Sequence, residues 1–379
     1  MQKRHEFIFF MRHRVLYMRS ITVNLLTTSV VRDPQRGNQS VMQGKGQQHF
    51  HKIVALVFSL FAGMLISGCD TQESAPPVSA SQHHDGWPRT IQTLRGPLTL
   101  QQPPRRIVST SVTISGTLLA INAPLIGSGA TSPRSLVADS QGFFSQWSQQ
   151  AKARGVKALY ITEPNAEAIA AATPDLIVIA ATGGDSALKL YEQLSAIAPT
   201  LVIDYGDKSW QQLALQLGEV TGHEADAQRI ISQFEQRVIA VKQAIQLPPQ
   251  PVSALVYYED GRGVNLWTSA SAQGQLLNEL GFQLASLPAD IKTETTQGKR
   301  QDIVQISGEN MADSLNGKSL LLFSADDKTV YRVIGNPFLS HLEPVVKNQV
   351  WPMGLDTFRL DYYSANNMLD SIERYFSKP

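Results

Sequence analysis

From residue 87 onward, short apolar runs alternate with longer amphipathic stretches. Arg106–Ser109, Leu125–Gly129, Ala158–Thr162, Asp175–Ala180 and Thr200–Asp204 each read as a strand, and the stretches between them, such as Ser186–Ile197, carry helical patterns. Strands alternating with helices predict parallel sheet covered by helices. The pattern then repeats, with Val252–Tyr257, Phe282–Ala285, Asp302–Ile306, Ser319–Ser324 and Gln349–Met353 as a second set of strands. Between the sets, Ile230, Phe234, Val238, Val241 and Ile245 recur at spacings of 4, 4, 3 and 4, one apolar stripe on a helix. Gly222 before it and Pro248, Pro249 and Pro251 after it mark its ends. At about 1.5 Å per residue, a helix over 223–247 is roughly 35 Å long, about the diameter of a lobe. About 290 folded residues exceed the usual size of a single core, so the expectation is two α/β lobes, 87–222 and 248–379, joined by that one helix. The competing expectation is a crossover helix inside one large sheet.

The N-terminal part has a different character. An apolar run from Ile53 follows Lys52 and closes with small residues at Cys69, the only cysteine in the chain. It is too short to span a bilayer and reads as a cleaved secretory signal over 42–68. The ending Ile66-Ser67-Gly68-Cys69 resembles a bacterial lipobox, which implies a diacylglycerol on the Cys69 sulfur and an acylated new N-terminus. That fate accounts for a lone thiol in an exported protein. Acyl chains contributing about 0.8 kcal/mol per buried CH2 would then hold the protein to a membrane. The alternative is an ordinary signal peptide with an incidental cysteine. Asp70, next in sequence, matches the enteric lipoproteins that stay on the periplasmic face of the inner membrane. Residues 69–86, rich in Ser, Pro, Gln and Ala, read as a lipidated tether. Residues 1–41 read as an upstream extension or a misassigned start, with translation expected to begin near Met42.

Residues 1–68 hold nine of the 33 Lys and Arg and two of the 32 Asp and Glu, so the remainder carries 24 basic and 30 acidic residues, a formal net charge of −6. That balance argues against a nucleic-acid partner, whose binders carry broad basic surfaces. Only His223 and His341 lie beyond residue 86, too few for a direct transition-metal site built on imidazoles. Gly183-Gly-Asp-Ser186 is the nearest approach to a hydrolase nucleophile elbow, but no second glycine follows the serine and His341 is isolated as a base. No Walker-type phosphate loop is present, so any ATP hydrolysis belongs to a separate subunit.

The two-lobe pattern resembles the substrate-binding proteins of ABC importers whose lobes are joined by a long helix, the class serving siderophores, haem and cobalamin. Five runs are similar to the siderophore binders of that class, those for ferric enterobactin in particular: Arg105-Arg-Ile-Val-Ser-Thr-Ser-Val-Thr113, Ala180-Ala-Thr-Gly-Gly-Asp-Ser-Ala187, Ala196-Ile-Ala-Pro-Thr200, Asp207-Lys-Ser-Trp210 and Thr357-Phe-Arg-Leu-Asp-Tyr-Tyr-Ser-Ala365. The resemblance covers residues 87–376. It implies a class III periplasmic binding protein, two Rossmann-like α/β lobes with one connecting helix, acting as a monomer. It also implies no catalysis and no cofactor: iron arrives only as a ferric catecholate siderophore, which is passed to ABC permease subunits powered by a separate ATPase. Haem, cobalamin or another iron chelate remain alternatives on the same fold.

A ferric tris-catecholate is a compact aromatic trianion, and arginine suits it best through planar forked donors and stacking. Arg359, Arg300 and Trp267 are the candidates from the second lobe, and Arg134 from the first. Related binders place that last arginine two residues later, where this chain has Leu136. Trp267 is read as sitting in a glycine-bearing loop after the Val252–Tyr257 strand, and all of these can face the crevice at the lobe edges. The alternatives are solvated loop charges and a core indole. Tyr205, Tyr257 and Tyr258 also end strands, with packing or exposure the simpler reading for each.

Glu167 and Glu309 each follow a capping residue, Asn165 and Ser307, by two positions, which predicts the second position of a helix in each lobe. The resemblance implies that such glutamates dock into arginines of the permease subunits. Complementing the helix dipole, worth about 0.3 to 1 kcal/mol, is the alternative for either one alone.

Overall fold

The computed structural model describes residues 86–379 except 259, 261–262 and 295–299. The stretch expected to be the signal, the expected lipidation site at Cys69 and almost all of the expected tether lie outside the described residues. An antiparallel hairpin of β1 (Arg89–Thr93) and β2 (Gly96–Leu100) comes first. No strand is predicted there, although Ile91 and Leu100 alternate inward as a half-buried strand requires.

The first sheet contains β3 (Ile107–Ser109), β4 (Leu125–Ala130), β5 (Lys157–Ile161), β6 (Leu176–Ala180) and β7 (Thr200–Ile203), in the order β5-β4-β3-β6-β7 with every pairing parallel. Its connections carry α1 (Val112–Ala120), α2 (Ser145–Ala153), α3 (Ala166–Ala171) and α4 (Tyr191–Ser195). The helix expected over 186–197 is thus a 3-10 turn at Leu188–Leu190 followed by the short α4. Then come α5 (Trp210–Thr221), closed by Gly222 in the left-handed conformation, and the 21-residue α6 (Glu224–Ala244).

The second sheet contains β8 (Val252–Tyr258), β9 (Gly263–Trp267), β10 (Ile303–Ile306), β11 (Ser319–Leu322) and β12 (Val350–Pro352), in the corresponding order β10-β9-β8-β11-β12. It is not wholly parallel, because β9 runs antiparallel to both β8 and β10. The residues between Tyr258 and Gly263 are too few for a crossover, which needs about a dozen, so β8 and β9 form a hairpin. Phe282–Ala285, read as a strand, contributes only a bridge from Leu284 to Val252. The remaining helices are α7 (Ala272–Leu280), α8 (Met311–Ser314), α9 (Asp327–Ile334), α10 (Glu343–Val346) and α11 (Tyr362–Phe376). Among the described residues no strand pairs the two sheets, so α6 connects separate sheets and is not a crossover within one.

α11 adds a second tie that the sequence reading lacks. Its first residue, Tyr362, packs edge-on against Trp210 of α5 at 5.6 Å, whereas its last, Phe376, packs against Trp351 of β12 at 4.9 Å and Phe282 at 5.8 Å. Arg237 of α6 pairs with Asp370, and the Gln246 N–H donates to the Phe376 carbonyl at 2.7 Å. Two packed helices therefore span the halves, which limits relative motion more than one would.

Asp361 caps α11 from a buried position, accepting from the Ser364 N–H at 2.7 Å and from Gln146 Nε2 at 3.2 Å. Burial pushes its carboxyl up, against the lowering by those donors. A carboxyl raised in the folded state penalises folding above its folded pKa, and that penalty fades as pH falls toward the ordinary value. An Asp361→Asn variant keeps the cap acceptor, and the amide of Gln146, whose Oε1 is buried without a partner, turns to receive the new donor. The variant is expected to match or exceed the wild-type Tm at pH 7, with wild type gaining on it as pH is lowered. A deficit at pH 7 that shrinks on acidification would contradict this account.

Candidate functional site

The C-terminal ends of the first sheet surround a cavity of about 310 Å3. Its lining includes Thr110, Thr113, Thr131, Tyr160, Asp185 and Tyr205. β3 lies at the switch point, with β4 on one side and β6 on the other, where open α/β sheets present their crevice. Ser111 caps α1 by accepting from the Ile114 N–H at 3.2 Å and donates its own hydroxyl to Asp185 at 2.5 Å. Asp185 also accepts from the Thr113 N–H at 3.1 Å and from the Tyr205 hydroxyl at 2.7 Å. Burial and the Asp185 charge push the Tyr205 phenol up to about 12, so it is a donor throughout the physiological range. Tyr160, half-buried on the opposite edge strand β5, donates to the Thr110 carbonyl at 2.7 Å and is likewise raised by burial.

Arg359 belongs to the segment between β12 and α11, yet its guanidinium carbon lies 4.5 Å over the ring of Tyr205. One cation–π contact therefore crosses from the second half of the chain to the cavity of the first. Phe358, its neighbour, packs edge-on against Trp267 at 5.6 Å. Trp267 is the last residue of β9, not a loop residue, and is only 6% exposed. Its Nε1 is buried without a hydrogen-bond partner, a donor left over by the protein.

Beside Trp267, the Thr268 N–H donates to the Asp302 carbonyl at 3.1 Å, which ties the end of β9 to the start of β10. Arg300 forks onto the Asp302 carboxylate, Nε to Oδ1 at 2.9 Å and Nη2 to Oδ2 at 2.5 Å. The Arg300 guanidinium holds the Asp302 carboxyl below its ordinary range, and the charge of Arg359 adds to that lowering. Arg359, Trp267 and Arg300 thus share one neighbourhood, linked through Phe358 and Asp302. Arg134 stands apart: it is exposed on the loop after β4, and among the described residues its side chain has no ion-pair partner. Thr131 of the same loop reaches the cavity.

Asp185 and Asp302 are residues of the candidate site that the sequence reading missed. Asp185 lies in a run read as a helix start, and Asp302 was legible only as an acid two residues beyond Arg300. Tyr257 and Tyr258 are held by amides: Asn336 Nδ2 donates to the Tyr257 hydroxyl at 3.0 Å and Asn265 Nδ2 to the Tyr258 hydroxyl at 2.9 Å.

Glu167 is exposed at the second position of α3, whose cap Asn165 accepts from the Ala168 N–H at 2.9 Å. Glu309 is exposed at the second position of the 3-10 turn Gly308–Asn310, which follows Ser307, makes no side-chain capping bond with it and leads into α8. Each follows the edge strand of its own sheet, β5 or β10. Among the described residues, no group of three or more His, Cys, Asp and Glu is placed to hold a metal ion, and no helix is long and apolar enough to cross a membrane.

Residues 107–354, from β3 to just beyond β12, match the periplasmic binding protein family. The chain is 55% identical over 317 residues to the ferric enterobactin-binding periplasmic protein FepB of Escherichia coli O6:H1, covering 84% of this chain and 96% of that one. It is 25% identical over 346 residues to the probable siderophore-binding lipoprotein YfiY of Bacillus subtilis, covering 86% and 98%. The crystal structure of holo-ViuP superposes with a TM-score of 0.68 at 35% identity, over 77% of this chain and 96% of that one. Staphylococcus aureus SirA complexed with staphyloferrin B superposes with a TM-score of 0.58 at 20% identity over 77% of this chain and all of that one, a likeness of fold. With the match spanning both sheets and 55% identity to a full-length relative, this chain belongs to the periplasmic binding protein family.

Proposed function

We propose that this protein is a periplasmic substrate-binding protein that captures ferric enterobactin or a related ferric catecholate siderophore and delivers it to an inner-membrane ABC permease for iron uptake. The observation that carries this reading is Arg359, stacked on Tyr205 across the two halves of the chain and adjoining Trp267 through Phe358. A planar cation stacked on a tyrosine, with its donor edge free among the described residues, suits a trianion built from catechol rings, since charged hydrogen bonds contribute about 1.5 to 3 kcal/mol each. Iron arrives already wrapped by catechols, so the protein supplies electrostatics and shape and no ligand to the metal. Arg134 joins the ligand from the loop after β4, and Arg300 joins it by exchanging Asp302 for a catecholate oxygen. No covalent step is involved.

Delivery rests on Glu167 and Glu309, one on each half, docking onto arginines of the permease. The lipid on Cys69 tethers the monomer to the outer face of the inner membrane, beside that permease; recovery of the processed protein wholly in the soluble periplasmic fraction would count against it.

The test is a tryptophan-fluorescence titration with ferric enterobactin, run beside a hydroxamate siderophore, haem and cobalamin. Submicromolar quenching by the catecholate alone is expected. Saturation by another of the four without response to the catecholate would overturn the ligand assignment. A Glu167→Ala, Glu309→Ala double variant is expected to bind ferric enterobactin like wild type and to lose most iron uptake; unchanged uptake would sink the docking role.

A further inference from the structure

Tyr205 is tied into the first half of the chain more firmly than packing requires. It is 7% exposed, and its hydroxyl is fixed on Asp185, which is itself fixed by Ser111 and the Thr113 N–H. The loop carrying Asp185 passes directly over that hydroxyl. Gly183 there has a φ of +93°, and a Cβ on it would lie 1.9 Å from the Tyr205 oxygen. Only glycine allows this approach, in a conformation other residues rarely adopt. The run Ala180–Ala187 is therefore shaped around the tyrosine, a use that neither catalysis nor ion binding explains.

The Tyr205 ring supports one group from the other half of the chain, the Arg359 guanidinium at 4.5 Å. Cation–π contact occupies the face of a guanidinium and leaves its N–H donors in plane along the edge. An arginine on an exposed loop otherwise loses considerable rotamer freedom when it is fixed by a ligand. We infer that Tyr205, held by Asp185 and Gly183, is a positioning residue for Arg359, orienting its donor edge toward the anionic ligand before that ligand arrives. The inference rests on the siderophore reading above and gives it a mechanism: the first half orders a charge that the second half supplies. Among the residues lining its cavity there is no lysine or arginine.

The experiment is a double-mutant cycle on ferric enterobactin affinity with Tyr205→Leu and Arg359→Ala, alone and together. Tyr205→Leu is expected to weaken binding about three- to thirtyfold, the worth of a cation–π contact, and to add nothing further in the Arg359→Ala background. Tyr205→Phe, which keeps the ring and loses the Asp185 bond, should fall between wild type and Tyr205→Leu. Equal losses in both backgrounds would mean that the ring acts on the ligand or the cavity directly, and no loss in either would mean it positions nothing; both overturn the inference. A readout without ligand separates this from the siderophore reading: the Arg359 Nε–H resonance should carry a ring-current shift that Tyr205→Leu abolishes. Wild type that ignores ferric enterobactin while showing that shift would refute the ligand and leave the positioning standing. Absence of the shift would refute the positioning whatever binds.

Discussion

Arg359→Ala is expected to weaken ferric enterobactin binding about a hundredfold, the loss of one or two charged hydrogen bonds at about 1.5 to 3 kcal/mol each. Three features make it the largest single effect among the candidate arginines. Its guanidinium is stacked and, among the described residues, has no hydrogen-bonded carboxylate partner, whereas Arg300 is forked onto Asp302 and must exchange that partner before it can serve a ligand. Its removal also strips Asp302 of one of the two cations acting on it, so the site turns more negative toward a trianion. Arg134, exposed and without an ion-pair partner among the described residues, pays the full entropy of being ordered and is expected to contribute least. The measurement is fluorescence titration at low and moderate salt. Wild-type affinity should fall with ionic strength and the variant's should fall less, because one attraction between charges is missing. Affinity of Arg359→Ala within twofold of wild type at low salt would remove the electrostatic basis of the proposed site.

The residue pattern carried the architecture further than the site. Parallel βα units, their repetition and the α6 stripe all leave periodic traces, because burial repeats along each element. The exceptions have local causes. β9 runs antiparallel because the chain between Tyr258 and Gly263 is too short to cross over, a matter of connection length that apolar runs do not record. Nothing in the sequence of α11 says that its start packs on Trp210 and its end on Trp351. Members of the candidate site were legible where a residue's chemistry is conspicuous, as with Arg359 and Trp267, and illegible where the arrangement lies in a pairing. Asp302 and Asp185 act through partners distant in sequence or hidden by local helix signals, and Tyr205 looks like any strand-ending tyrosine until Arg359 is seen above it.

Trp147→Ala is expected to be the most destabilising truncation at the seam between the halves. Trp147 is fully buried on α2, 5.2 Å from the ring of Phe143 and 6.2 Å from that of Phe144. α1 passes so close that a Cβ on Gly116 would lie 2.7 Å from Trp147 Cδ1 and 2.8 Å from Asp361 Oδ2. The indole therefore fills the angle between α1, α2 and the cap of α11, and backbone on several sides prevents collapse into the space it leaves. Loss of about 3 to 5 kcal/mol follows from transfer and cavity terms. For a chain of this size that lowers the Tm by roughly 10 °C. Ferric enterobactin affinity should change far less, because Phe144 lines the cavity and Trp147 stands behind it. The two readouts together locate the seam. A large fall in Tm with near-normal binding means that α11 clamps the halves without shaping the ligand site. Parallel losses in both would mean that the clamp sets the distance between Tyr205 and Arg359, and so the geometry of capture itself.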